Sequence, residues 1–149
     1  MGMFDALEVS ASALTAERLR MDVTAENLAN AQTTRGADGN PYRRKEVVLA
    51  ERPGGTGTFG AALQGAMAAR NGAPGGVEVA AITEDQTPLK TVYDPSHPDA
   101  DARGYVQMPN VEPVAEMVDL ISAQRAYEAN VTAMSAAKQM FAKTLELLR

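Results

Sequence analysis

Hydrophobic residues recur every seven positions at both ends of the 149-residue chain. Near the N-terminus Leu7, Leu14, Met21 and Leu28 fall on one line. Phe4, Ala11, Arg18 and Ala25 fall on the line three residues before, an a/d stripe with Arg18 as its one flaw. The register predicts a helix of about 28 residues, roughly 42 Å long. Asn30 suits its end, because Asn tolerates the left-handed conformation of a C-terminal cap. Near the C-terminus Leu120, Tyr127, Met134, Phe141 and Leu148 repeat with the same spacing, flanked by Met117, Gln124, Val131, Lys138 and Leu145. Pro113 suits a first helical turn, where its missing N–H costs nothing. Glu112, Glu116 and Asp119 near the start, with Lys138, Lys143 and Arg149 near the end, are ordered to complement the helix dipole. At about 37 residues this helix would span roughly 55 Å, more than a compact globule of this chain length offers. It needs a partner along its length.

Between the helices the punctuation changes. Residues 31–110 hold 11 of the 12 glycines and 7 of the 8 prolines, whereas 3–30 and 114–149 hold none. Short strands are predicted at Arg44–Ala50 and Val77–Ile82, with a third at Leu89–Tyr93 after Pro88. Pro53–Gly76, with eight glycines in 24 residues and an alanine-rich run at Ala61–Ala69, is expected to be a loop. The fold class expected is mainly α. Long N- and C-terminal helices would pack as a coiled-coil-like pair around a small β or irregular middle. The segments are 1–30, 31–110 with the Gly-rich loop 53–76, and 111–149.

Composition narrows the chemistry. Fourteen basic against 19 acidic residues give a net charge of −5, which argues against a phosphate-neutralising face and so against nucleic acid as a partner. With no cysteine and one histidine, His97, the chain lacks thiol catalysis, disulfides and multi-His metal centres. No run approaches the ~18 apolar residues of a membrane helix. Met1–Ser12 does not read as a cleaved signal, and Ala6 breaks the myristoylation pattern. Three local motifs have blander readings. Gly55–Gly60 matches the G-x-G-x-x-G dinucleotide fingerprint, but the middle is too short for a doubly wound sheet. Asp99–Gly104 resembles the start of a calcium loop, with Arg103 where a ligand belongs; a tight solvated turn is expected, and His97 is expected to lie exposed beside it. Arg43-Arg44-Lys45 is read as a solvated strand edge. No catalytic group, metal or cofactor is expected.

Two longer segments carry a resemblance. Ala25-Glu26-Asn27-Leu28-Ala29-Asn30-Ala31-Gln32-Thr33-Thr34-Arg35 resembles the Asn-rich N-terminal signature of flagellar rod and hook proteins. Gly104–Val106, Pro109–Val111, Glu116–Ile121 and Arg125–Asn130 resemble the paired C-terminal signature of the same group. Ala37–Glu46, Val92–Ala100 and the short length resemble the proximal members of the flagellar basal-body rod family in particular. Only Pro53–Gly76 has no clear counterpart. The resemblance implies a structural, non-enzymatic subunit that the flagellar type III apparatus exports without a cleaved signal. It further implies assembly in the periplasm with other rod proteins and copies of itself, without direct membrane insertion.

The expected assembly residues are Leu7, Leu14, Met21 and Leu28 with Leu120, Tyr127, Met134, Phe141 and Leu148. Asn27 and Asn30 follow, read first as helix caps that order the turn into Thr33-Thr34, or else as bonds to a neighbouring chain. A small nucleotide-binding protein using Gly55–Gly60 and a self-contained helical bundle stand as alternatives.

Overall fold

The computed structural model describes residues 3–36, 38–52 and 75–147. Two long helices bracket a small strand-containing middle: α1 (Met3–Ala29), β1 (Lys45–Glu51), β2 (Val77–Glu84), β3 (Lys90–Tyr93), β4 (Tyr105–Met108) and α2 (Pro113–Leu147). The helices run for 27 and 35 residues, as the Gly- and Pro-free ends of the chain require. The expected strands appear within two residues of their predicted bounds, and β4 is an addition. The Gly55–Gly60 motif, the Ala61–Ala69 run and Leu148 lie outside the described residues.

The strands form two separate ribbons, β1 with β2 and β3 with β4. The second is antiparallel, pairing Lys90 with Met108, Thr91 with Gln107, Val92 with Val106 and Tyr93 with Tyr105. Asp101 closes its turn by accepting the N–H groups of Arg103 and Tyr105 at 2.8 and 2.9 Å. Gly104 is required there: its φ is +82°, and a Cβ would lie 2.9 Å from the Tyr93 ring. The same bonds make Asp99–Gly104 the tight turn that its composition suggested. Close by, the His97 ring is half-buried rather than exposed, and its Nδ1 accepts the Asp99 N–H at 3.1 Å.

The chain divides into two compact units, one of Met1–Arg18, Leu49–Ala80 and Arg125–Arg149, the other of Leu19–Val48 and Ala81–Gln124. In the first, Ala16 and Ala137 are buried, and Ser12 ties α1 to β2. Its hydroxyl donates to the Val9 carbonyl at 2.7 Å and accepts the Val77 N–H at 3.0 Å. In the second, Val23, Val106, Val111 and Ala123 are buried together with Thr24, Asn27 and Glu116. The Thr24 hydroxyl is satisfied along its own helix by the Arg20 carbonyl at 2.8 Å.

The end of α1 differs from the sequence reading in its means, whereas the start of α2 follows it. Asn30 terminates α1 through its side chain, not a left-handed backbone, since no described residue other than glycine has a positive φ. Its N–H and its Nδ2 both donate to the Glu26 carbonyl, at 3.0 and 2.9 Å, and it accepts the N–H and hydroxyl of Thr33 at 3.0 and 3.2 Å. Pro113 opens α2, and the Glu112 carbonyl accepts the Glu116 N–H at 3.0 Å. No basic residue lies in the last described turn of α2. Arg149, the last of the cations expected there, lies outside the described residues.

Candidate functional site

In the second unit a buried polar joint binds the end of α1, the start of β1 and the start of α2. Asn27, only 1% exposed, is its hub. Its Nδ2 donates to the Lys45 carbonyl at 2.8 Å and to Glu116 Oε2 at 3.0 Å. Its Oδ1 accepts the Lys45 N–H and the Tyr42 hydroxyl, each at 2.9 Å. An amide offers two donors and two lone pairs, and here all four are used. By engaging both backbone groups of Lys45, the side chain stands where a neighbouring strand would.

Glu116 is equally enclosed, at 1% exposure. Its other oxygen accepts Arg44 Nε at 2.6 Å, and Arg44 Nη2 reaches Asp119 at 3.5 Å. Arg44 is anchored at its backbone as well, its N–H donating to Asn110 Oδ1 at 2.8 Å. Asn110 in turn donates to the Asp85 carbonyl at 3.2 Å and the Thr87 hydroxyl at 2.9 Å. The bond to Glu116 raises the Arg44 pKa further and outweighs burial, which acts the other way. Burial first, and then the carboxylates of Glu26, Glu116 and Glu84, push the Tyr42 hydroxyl up to about 12. It therefore stays protonated and keeps donating to Asn27. Lys45 Nζ meets Glu26 at 2.6 Å and lies 5.6 Å from the centre of the Tyr42 ring.

This arrangement positions backbone; it does not present a reacting group. The carboxylate is shared between Arg44 and Asn27, and the phenol is held protonated. A polar groove of about 760 Å³ runs alongside, with Glu26, Asn30, Tyr42, Arg43, Lys45 and Glu84 in its walls. Among the described residues no three His, Cys, Asp or Glu side chains converge as a metal site.

The residues singled out from sequence fare differently. Asn30 caps α1, as expected, whereas Asn27 does not: its bonds leave the helix for Lys45, Tyr42 and Glu116. Arg44 is not on a solvated edge, its side chain being 25% exposed against the buried Glu116. The joint of Tyr42, Arg44, Asn110 and Glu116 was missed. The two signature segments each supply part of it, and only their pairing in space reveals it. Leu7, Leu14, Met21, Leu28, Leu120, Tyr127 and Met134 are half-buried, and Phe141 is exposed. On α2 the more open positions are Val114, Met117, Val118 and Ile121, spaced as one helix face. Leu120 lies about 200° of rotation from Val118 but only about 60° from Met117, at the edge of that face.

Known proteins match on the same two segments. Residues 7–37, which include Asn27, match the family described as flagella basal body rod protein. Residues 102–147, which include Asn110 and Glu116, match the flagellar basal body rod FlgEFG protein C-terminal family. The chain is thus of the flagellar rod class. At full length it is 52% identical to the flagellar basal-body rod protein FlgC of Bacillus subtilis (strain 168), with 99% of each chain covered. It is 46% identical to FlgC of Borreliella burgdorferi, covering 100% of this chain and 99% of that one. It is 45% identical to FlgC of Escherichia coli O157:H7, covering 99% and 98%. The chain belongs to the FlgC family of flagellar basal-body rod proteins. Its relatives are structural rod proteins and not enzymes, and the nucleotide-binding alternative finds no support.

Proposed function

We propose that the chain polymerises through its terminal helices, with copies of itself and other rod proteins, into the periplasmic shaft that carries torque. The observation that carries this reading is the buried joint combined with exposed apolar side chains on α2. A satisfied polar joint fixes how α1, β1 and α2 meet in the second unit. Exposed Val114, Val118, Ile121, Met140 and Leu145 then leave apolar surface for neighbours. Each such side chain contributes roughly 1.5–3 kcal/mol when fully buried, so many contacts in parallel resist shear better than one site.

In this reading the lines Leu7, Leu14, Met21 and Leu28, and Leu120, Tyr127, Met134, Phe141 and Leu148, complete a coiled-coil-like seam on assembly. Delivery is by the flagellar export apparatus without a cleaved signal. Among the described residues no helix is long and apolar enough to cross a membrane, which suits a subunit that meets the bilayer only through other proteins. The test is deletion and restoration in the parent bacterium. Cells lacking the chain are expected to be non-motile and to yield basal bodies without rods, and its re-expression to restore both. Intact rods in the deletion strain would refute the assignment.

A further inference from the structure

Asp38-Gly39 is the only Asp-Gly pair in the sequence, and it stands in the turn that leads from α1 to β1. The Tyr42 N–H donates to the Thr33 carbonyl at 3.1 Å, and the Gly36 N–H to the Asn40 carbonyl at 2.8 Å, so the pair lies at the closed end of that turn. Asp38, Gly39 and Asn40 are all exposed. Gly39 has a φ of +77°, and a Cβ there would meet nothing within 4 Å. It brings no side chain to crowd its own backbone nitrogen, and the space where one would lie is open.

We infer that Asp38 is a modification site, at which the chain closes a succinimide with Gly39 and reopens it as isoaspartate. The Gly39 nitrogen attacks Cγ of the protonated Asp38 side chain. An N–Cγ bond forms, and the amide proton leaves with a carboxyl hydroxyl as water. Water then adds to either ring carbonyl. Opening at Cγ regenerates Asp38. Opening at the former backbone carbonyl leaves the chain running through Cβ and Cγ, which is isoaspartate. No oxidant, metal or enzyme enters the balance. The Gly39 N–H donates to the Gly36 carbonyl at 3.0 Å and must first leave it; an exposed turn is where such opening costs least. Other aspartates are held back. Asp22 and Asp119 lie inside helices, where the next N–H is a helical donor. Asp85 and Asp101 hold a carboxylate oxygen against the N–H groups of Thr87 and of Arg103 and Tyr105, and Asp99 accepts the Thr34 hydroxyl. Asp94 precedes Pro95, which has no N–H to give up.

The test ages the full-length chain for weeks at neutral pH, folded and, in parallel, unfolded in urea. Trypsin then cuts after Arg35 and Arg43 and releases the peptide Gly36–Arg43. Isoaspartate leaves its mass unchanged but shifts its retention, and electron-transfer fragmentation places the change at residue 38. The folded chain is expected to accumulate isoaspartate at Asp38 about tenfold faster than at any other aspartate of the described residues, a barrier difference of about 1.4 kcal/mol. Asp38→Glu, whose ring would be one atom larger, is expected to abolish the product, and Gly39→Ala to slow it, once circular dichroism has matched each variant to wild type. Conversion confined to the urea sample would overturn the inference, because the fold would then protect the pair. Absence of the product from both samples, or equal conversion at the other aspartates of the folded chain, would overturn it as well.

Discussion

Asn27 shows how much one side chain can organise. It bonds the backbone of Lys45, 18 residues on, and the carboxylate of Glu116, 89 residues on. Asn30 was legible because a cap acts on its own turn. Asn27 was not, because nothing local distinguishes an asparagine that caps from one that reaches across the fold. The same holds for Arg44, whose basic neighbours suggested solvent while its own head meets a buried carboxylate. A buried ion pair costs most when one half is removed. Arg44→Met strands Glu116 and is expected to destabilise the second unit by about 3–5 kcal/mol. Arg44→Met with Glu116→Leu removes both charges and is expected to cost less than Arg44→Met alone, although Asn27 then loses one acceptor. Urea unfolding, with hydrogen exchange at the Lys45 N–H as a local reporter, measures the coupling. Additive losses would mean that the pair does not act as a unit.

The helices were readable from periodicity because Leu7, Leu14, Met21 and Leu28, and Leu120, Tyr127 and Met134, are half-buried at seven-residue intervals. Their ends were less so: α2 draws its first-turn acid, Glu116, into the joint instead of leaving it to the dipole. Among the strands, β1, β2 and β3 followed from β-branched runs between turn signals. β4 escaped because it is four residues long and fully buries only Val106. What makes it a strand is its register against β3, which no local pattern carries. Where α1 meets β2, Gly76 has a φ of +92°, and a Cβ there would lie 2.4 Å from Ser12 Oγ. Gly39 shares the positive φ, at +77°, with nothing within 4 Å. Gly39→Ala is therefore expected to cost backbone strain of roughly 1 kcal/mol, and Gly76→Ala clearly more, with faster exchange of the Val77 N–H that Ser12 accepts. Equal losses at the two sites would show that the close approach to Ser12 carries no energy.

At the scale of the whole molecule, the family was legible in the two signature segments, and the matched regions 7–37 and 102–147 contain them almost entirely. The outward face of α2 was harder to read. A seven-residue register finds the line that a helix buries, and Leu120, Tyr127 and Met134 are half-buried already. Its flanking line holds Met117 and Leu145, at 45% and 52% exposure, but nothing in the register marks that line as the more open one. In the proposed assembly the buried joint serves folding and exposed α2 serves contact with neighbours. Val118→Asp divides them most directly, because Val118 is 61% exposed and a charge there leaves the joint untouched. The measurement is the amount of this variant in basal bodies purified from cells that lack the wild-type chain. The expected result is a subunit that melts like wild type but is absent from the rod. Incorporation at the wild-type level would contradict the account.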